Sequence, residues 1–453
     1  MVRAVGACMP RDVLASGVDV VESLEASPAS VAVATASCCH ALWQAINRTV
    51  AAGASPQLCT PALVAAADAL AAQSSPERDS EAVEQGIREV LSVLQQAGVA
   101  VEAARDASGQ VCGASGAVAE ATASGGHLVA SLLETDVPSA LVRCLGSLNF
   151  EARKDAMRLF IDIQRYALPL GMESSLIAYF QCQPAILQFL LDGCSDLKVV
   201  AYCAQMLRGC TRHPQLVRAL LHRGAASRLF ELARSKKFEI SSEAFATLRE
   251  ILLVQSAVSA AVISADLEDL FPHFHVLLEA DMDYVVRRQA LRLLGELLLD
   301  PAWREVMCAY VAEDRFLQIH MNAMRDSAKA IHLGGFHIFK IFVANPRKPR
   351  NVCSILHRNR TRLVKLLVSL STVCEGDANL TEDLSTVIRL LETLEAPPTK
   401  KKIAHASGIA HFPALFSLFF SALGWARASG GVCGFFFLLS WVLRVCWGGC
   451  VCR

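Results

Sequence analysis

Apolar side chains recur at helical spacing through most of the chain, and one stretch shows the pattern well. In DYVVRRQALRLLGELLLD, residues 283–300, Leu294 and Leu298 lie on one helical face. Such a stripe is typical of a helix packed on a core. Arg288 and Arg292 are four residues apart, so they project side by side from another face. The pattern predicts a helix that buries one face and presents two guanidinium groups on another.

The same pattern repeats between about residues 128 and 398. Five segments share it, and their starts are 41 to 47 residues apart. That spacing is the period of HEAT and armadillo repeats. The segments are FEARKDAMRLF from Phe150, LKVVAYCAQML from Leu197, FEISSEAFATL from Phe238, YVVRRQALRLL from Tyr284 and KAIHLGGFHIF from Lys329.

Two positions keep their size in all five segments. The seventh residue is small, which lets a neighbouring helix approach closely, and the eleventh is bulky and apolar, which fills the seam between repeats. The seventh residues are Ala156, Cys203, Ala244, Ala290 and Gly335, and the eleventh residues are Phe160, Leu207, Leu248, Leu294 and Phe339.

A second apolar helix is predicted before each segment, as in ALVRCLGSL and FPHFHVLLEA. The unit is then a helix, a short polar turn and a helix. One such pair cannot bury its apolar face alone, so neighbouring pairs are expected to stack. The sequence predicts an all-α, curved solenoid of about six armadillo/HEAT-like helical repeats. The alternative is chance similarity among leucine-rich helices.

Composition divides the chain into three regions. Residues 1–125 are rich in Ala, Ser and Gly, with one helix predicted after Ser75-Pro76 and a flexible insertion predicted in GQVCGASGAVAEATASGG. Residues 126–398 are expected to form the repeat domain. The apolar extension 403–453 is expected to lie outside the functional fold. Intron read-through or a mispredicted exon is the preferred explanation, over a membrane anchor or a partner-bound helix.

Charge and cysteine content narrow the function classes. Lys and Arg total 43 and Asp and Glu total 43, so the net charge gives no support for a nucleic-acid partner. The 17 cysteines are an odd number with no Cys-x-x-Cys pair, which disfavours disulfides and structural zinc. The start of the chain shows no signal-peptide pattern. A cytoplasmic protein with reduced thiols is therefore expected.

Five motifs within the repeats are specific enough to compare with a known family. They are NFEARKD, MLRGCTRH, FEISSEAFATLREILL, YVVRRQALRLLGELLLD and GFHIFKIFVANPRKP. In this order, from about 130 to 398, they resemble the calcium-binding protein 39 family, also called mouse-protein-25-like scaffolds. The resemblance implies a non-catalytic scaffold without a cofactor, while the first 125 residues match poorly.

The same resemblance implies the partners. Family members bind sterile-20-type kinases or pseudokinases and hold them in a closed, active-like conformation. With a pseudokinase, they help to activate a third, upstream kinase. In fungal and protist lineages they are linked to cell polarity, morphogenesis and cytokinesis. A membrane partner is expected here only if the extension 403–453 is genuine.

The resemblance also implies a first site, on the concave face that contacts the kinase lobe. The matching positions are Phe238, Arg288 and Arg292, with Arg where the family pattern has Lys at the third. Without the resemblance, Arg292 paired with Glu296 on a solvated helix face and Phe238 in the core are the simpler interpretations.

A second implied site is a C-terminal groove that takes a short Trp-Glu-Phe-type peptide tail. The matching positions are Met321, Arg358 and Arg362, with Arg replacing Lys at the latter two. Both arginines lie in LHRNRTRL, a basic cluster that is also compatible with acidic lipid or RNA. A different functional class also stays open, a membrane-anchored structural adaptor that uses the solenoid as a generic binding surface.

Metal and catalytic motifs are not found. The stretch DANLTEDLSTVI, from Asp377, resembles a calcium loop in its oxygen spacing. However, Glu382 stands where glycine is needed and Ile388 where a bidentate glutamate is required. There is no GxSxG, HExxH or kinase motif set. We predict no metal and no enzymatic activity, and we expect His213 and His337 to be structural.

Overall fold

A computed structural model describes residues 76–103, 116–146, 148–264, 267–373 and 378–396. Helices joined by short turns make up these residues, and none of them is in a β-strand. The all-α prediction is confirmed. The predictions for the extension 403–453 fall outside the described residues.

The first of two compact units ends at Val254. Its described residues form ten α-helices: α1 (Pro76–Ala103), α2 (Gly116–Glu134), α3 (Val137–Cys144), α4 (Phe150–Ala167), α5 (Glu173–Cys182), α6 (Ala185–Gly193), α7 (Val200–Cys210), α8 (Pro214–His222), α9 (Ala225–Ala233) and α10 (Phe238–Leu253).

The second unit begins at Gln255. Its described residues form α11 (Ser256–Ile263), α12 (Leu267–Leu277), α13 (Tyr284–Leu299), a 3₁₀ turn (Pro301–Trp303), α14 (Arg304–Ala312), α15 (Asp314–Ala323), α16 (Lys329–Ala344), α17 (Arg350–Val373) and α18 (Ala378–Glu392).

The helices of the first unit pack in register, which confirms the repeat. Helix α4 packs on α7 and α7 on α10, and in the same order α3 packs on α6 and α6 on α9. A third row is formed by α2, α5 and α8. In the second unit, α13 packs on α16 and α16 on α18. The five predicted segments are therefore the equivalent helices α4, α7, α10, α13 and α16.

The repeat contains three helices, so the predicted helix pair was incomplete. The missed helices are short: α5, α8 and α14 have 10, 9 and 9 residues. Packing in a row of their own lets α2, α5 and α8 bury apolar faces that none of them could bury alone.

The seventh and eleventh positions are buried in all five helices. A Cβ on Gly335 would meet the Cβ of Ala323 on α15 at 2.9 Å, and a Cβ on Gly193 of α6 would meet the Sγ of Cys203 at 2.5 Å. The seventh residue therefore faces the preceding helix of its own repeat. Successive repeats approach each other at Gly334 instead, where an added Cβ would lie 3.0 Å from the Leu291 side chain.

Part of the predicted flexible insertion is helical, which corrects that prediction. Helix α2 begins at Gly116, so the second half of GQVCGASGAVAEATASGG belongs to it. Alanine favours helix strongly enough to offset glycine there. Gly126 is buried, and a Cβ added to it would meet the carbonyl oxygen of Leu170 at 3.4 Å. The glycine accommodates close packing, and α1 likewise packs on α4.

We expect Ala290→Trp to destabilise the second unit by about 1–3 kcal/mol, because Ala290 is fully buried and overpacking forces neighbouring helices apart. Ala246→Trp, at an exposed position of α10, is the matched control and should unfold as the wild type does. Urea denaturation followed by circular dichroism measures both. Equal stability of the two variants would show that position 290 faces no neighbour.

Candidate functional site

The guanidinium groups of α13 differ in what they contact. Arg287 lies 2.8 Å from the carboxylate of Asp326 and is mostly buried, so it joins α13 to the turn before α16. The Ala328 N–H and then this arginine lower the pKa of Asp326. Arg288 is exposed, and no carboxylate pairs with it among the described residues.

Arg292 does pair with Glu296, as the simpler interpretation predicted. Its Nε donates to Oε1 at 3.1 Å. The arginine side chain is nevertheless 56% exposed, while that of Glu296 is 18% exposed. The guanidinium therefore stays accessible to solvent beside a mostly buried carboxylate. Arg288 and Arg292 together present an exposed basic strip.

The fold holds this strip outward by burying the opposite face. Leu291, Leu294 and Leu298 are buried against the second unit's core. The Asp283 carboxylate accepts a hydrogen bond from Val285 N at 2.8 Å and starts the helix, an ordinary N-cap.

Phe238 lies in the first unit, at the first position of α10. Phe238 is exposed, so the simpler interpretation, which placed it in the core, is wrong. The structure therefore groups Arg288 with Arg292 on one helix and places Phe238 in the other unit.

The predicted groove residues lie on two helices in contact. Met321 is half-buried on α15, Arg358 and Arg362 are exposed on α17, and the two helices pack together. The two arginines are four residues apart, so they share a face. Helix α17 has no Asp or Glu in its 24 residues. The second unit therefore places a half-buried methionine and a basic helix face on two helices in contact.

Sequence reasoning missed one feature of this surface and one of its supports. Lys365 is exposed on the same face of α17, seven residues after Arg358. The buried ammonium of Lys340 donates to the Asp383 carboxylate at 2.6 Å and ties α16 to α18, on which α17 packs. The spacing of Lys365 from Arg358 could be seen in the sequence, whereas nothing in the sequence pairs Lys340 with Asp383.

Cys203, Cys210 and His213, three residues whose side chains are often catalytic in enzymes, are buried here. Burial raises the pKa of the Cys203 and Cys210 thiols to about 12, so they stay protonated. His213 is buried, with Nε2 3.1 Å from the Gln164 carbonyl oxygen, a structural role as predicted. No three His, Cys, Asp or Glu residues group as metal ligands in the described part of the chain. Residues 378–388 of the calcium-like stretch are helical.

A family comparison decides what kind of repeat protein this is. The family model described as Mo25-like matches residues 56–395. The chain belongs to the Mo25-like family. The match begins before α1, closer to the amino terminus than the motifs that first suggested the family.

Individual relatives agree with the Mo25-like assignment. A degreening-related gene dee76 protein of Auxenochlorella protothecoides is 35% identical, over 57% of this chain and 79% of its own. A calcium-binding protein 39-like protein of Homo sapiens is 30% identical, over 59% and 79%. The predicted family is confirmed. Among solved structures, a designed armadillo repeat protein covers 56% of this chain and 94% of its own, at 14% identity and a TM-score of 0.30.

Within the described residues of this Mo25-like chain, no single helix has the length and apolar character to cross a membrane. One bent pair, α10 with α11, meets those two criteria.

Proposed function

We propose that this Mo25-like protein is a non-catalytic, cytoplasmic scaffold that binds a sterile-20-type kinase or pseudokinase and stabilises its active conformation. Phe238, Arg288 and Arg292 contact the kinase lobe. Met321, Arg358 and Arg362 form the groove that binds the kinase tail. With a pseudokinase bound, the scaffold presents it to a third, upstream kinase, in signalling linked to cell polarity, morphogenesis or cytokinesis.

One observation carries the proposal: the exposed pair Arg288 and Arg292, held outward by a fully buried leucine stripe. Arginine is enriched among the residues that dominate binding energy at protein interfaces. Arg287, the neighbour in sequence, is already committed to Asp326, so the outward pair is a separate feature of the helix. Membership of the Mo25-like family supports a scaffold role for it.

The mechanism is a shift of population. A scaffold that binds only the closed kinase raises the share of that conformer by its differential affinity for the two states. The scaffold supplies no catalytic group. Its effect is therefore limited by how strongly it prefers the closed form.

We expect Arg288→Ala with Arg292→Ala to weaken binding of a sterile-20-type kinase domain by about thirtyfold or more. Losing an interface hot spot costs about 2 kcal/mol or more. Arg304→Ala, an exposed arginine outside the strip, is the matched control. Biolayer interferometry with the full chain measures both. Unchanged affinity of the double variant would assign the strip to solvent and overturn the proposal.

The groove is tested separately with a kinase-tail peptide ending in Trp-Glu-Phe. We expect Met321→Ala to remove apolar contact and Arg358→Ala to remove a charge contact, each weakening peptide capture by about tenfold. Arg228→Ala on α9 of the first unit is the control. Peptide binding that survives both groove changes would place the tail site elsewhere, while kinase-lobe binding should persist in all three variants.

The second candidate is a membrane-anchored adaptor, which depends on residues outside the described part of the chain. Comparing the full chain with a chain ending at Lys402 separates the two functions. Binding of the kinase by both supports the scaffold. Pelleting of the full chain alone with lipid vesicles, without kinase binding by either, supports the adaptor.

A further inference from the structure

Four of the five repeated segments begin with a bulky, apolar residue that is unexpectedly exposed. In the first unit, Phe150 is 64% exposed, Leu197 48% and Phe238 63%. In the second unit, Tyr284 stands at the same position of α13 and is also exposed. Core packing explains none of these side chains. Because the position recurs by repeat, the exposure is a property of the repeat and not of one residue.

Within the first unit the three side chains form a row. Phe150 begins α4, Leu197 lies in the turn that enters α7, and Phe238 begins α10. Because α4 packs on α7 and α7 on α10, the residues lie at the same end of three adjacent helices. We call Phe150, Leu197 and Phe238 the apolar row.

The spacing of the row suits an extended polypeptide. Packed helices lie about 8–10 Å apart. A segment in the extended polyproline II conformation rises about 3.1 Å per residue with three residues per turn, so every third side chain lies on one side, about 9 Å apart. Every third side chain of such a segment crossing the row would therefore reach one of its three members.

Charge around the row favours an acidic occupant. Lys198 follows Leu197, and Lys236 and Lys237 precede Phe238; all three are exposed. No carboxylate pairs with their ammonium groups among the described residues. The Lys154 ammonium lies 5.5 Å from the Phe150 ring but is paired with Glu151, so Lys198, Lys236 and Lys237 supply the charge.

The acidic residues nearby are partly engaged already. Glu151 lies 3.3 Å from the Lys154 ammonium. The Asp196 carboxylate accepts a hydrogen bond from Lys198 N at 2.9 Å. Glu239, the third acidic residue, has no such contact within the described part of the chain. The charge left over at the apolar row is therefore positive.

One helix start at the row also has backbone donors without a side-chain cap. Helix α10 starts after Lys237, whose side chain does not cap it. By contrast, Asn149 caps α4 through Ala152 N at 2.9 Å. The first N–H groups of a helix need acceptors. An extended segment brings backbone carbonyl oxygens and carboxylates, both of which are acceptors.

We propose that the apolar row binds an extended segment of a partner protein, with an apolar side chain at every third residue and carboxylates between them. Apolar side chains cover Phe150, Leu197 and Phe238, and the carboxylates meet the lysines and the uncapped start of α10. The segment shares Phe238 with the proposed kinase surface, but it does not require that the partner be a kinase.

A fluorescent peptide probe tests the inference directly on the full chain. Its leucines stand at every third position, with glutamate and aspartate between them. A second peptide of the same composition has its leucines at alternate positions. We expect the first peptide to bind about tenfold more tightly, and Phe150→Ala with Leu197→Ala to weaken it by about tenfold. Lys236→Glu with Lys237→Glu should weaken it as well and reduce its dependence on salt.

Phe189→Ala, an exposed aromatic of α6 outside the row, is the matched control and should bind as the wild type does. The replaced residues are exposed, so circular dichroism should show every variant folded. Equal binding of the two peptides, or wild-type binding by the row variant, overturns the inference. A dimer in sedimentation velocity that dissociates in the row variant would also overturn it, because the occupant would then be a second copy.

The outcomes separate this inference from the proposed function. Arg288→Ala with Arg292→Ala should lose the kinase and keep the peptide probe. Loss of the probe in the row variant, with kinase binding indifferent to the two arginines, would refute the proposed function and leave the inference standing. Kinase binding that depends on the two arginines, together with equal binding of the two peptides, would refute the inference and leave the proposed function standing.

Discussion

Lys340→Ala is expected to destabilise the second unit by about 3–5 kcal/mol. The Lys340 ammonium and the Asp383 carboxylate are both buried and 2.6 Å apart. Removing the ammonium takes the ion-pair partner away from a buried carboxylate, which is the costly case for such pairs. Helix α18 then loses its tie to α16, and α17, which packs on α18, loses its support. Capture of a kinase-tail peptide should therefore fall in parallel.

The matched control replaces both members of the pair. Lys340→Met with Asp383→Leu removes both charges and keeps most of the volume, so its cost should be far smaller than that of the single change. Urea denaturation at neutral pH gives both values. A loss below about 1 kcal/mol for Lys340→Ala would mean that water reaches Asp383.

Acid is expected to weaken the second unit through His320, by about 3 kcal/mol between pH 7 and pH 4. The imidazole is fully buried, and burial lowers its pKa to about 3 from the ordinary 6.5. Its Nε2 lies 2.7 Å from the Tyr310 hydroxyl, and the Tyr310 ring stacks on Phe316. No partner for Nδ1 is found among the described residues.

The sign follows from proton uptake. Between pH 3 and 6.5 the unfolded chain binds a proton on His320 that the folded chain does not, so stability falls as pH falls. The contribution is complete above pH 6.5 and disappears towards pH 3. Tyr310→Phe with His320→Leu removes this group, and its stability should drop by about 3 kcal/mol less than that of the wild type over the same interval. Identical pH dependence of the two proteins would contradict the assignment.

The repeat and its helix starts were readable from the sequence. Phe238, Tyr284 and Lys329 begin α10, α13 and α16 as their segments predicted. Helix α7 begins at Val200, three residues later than its segment. The Asp196 carboxylate accepts from Lys198 N and extends the turn before that helix. Periodicity therefore located the helices, and local hydrogen bonding adjusted one boundary.

Exposure was harder to predict than helix position. Apolar periodicity predicts burial, so Phe150 and Leu197 would be placed in the core from their residue types alone. Phe150 opens α4 and Leu197 lies in the turn before α7, where the buried stripe of each helix has not yet begun. The outward strip of Arg288 and Arg292 was predictable from spacing, because charged groups avoid the buried face. The Lys340 pair was not, since its partner is 43 residues away.

The central claim is that the scaffold activates a kinase by preferring its closed form, and a titration of kinase activity tests it most directly. The full chain is added to a sterile-20-type kinase, and phosphate transfer to a peptide is measured at each concentration. The account predicts a saturable rise with the wild type and with Arg304→Ala, and none with Arg288→Ala plus Arg292→Ala. A kinase that binds the wild-type chain yet keeps the same activity at saturation would contradict it.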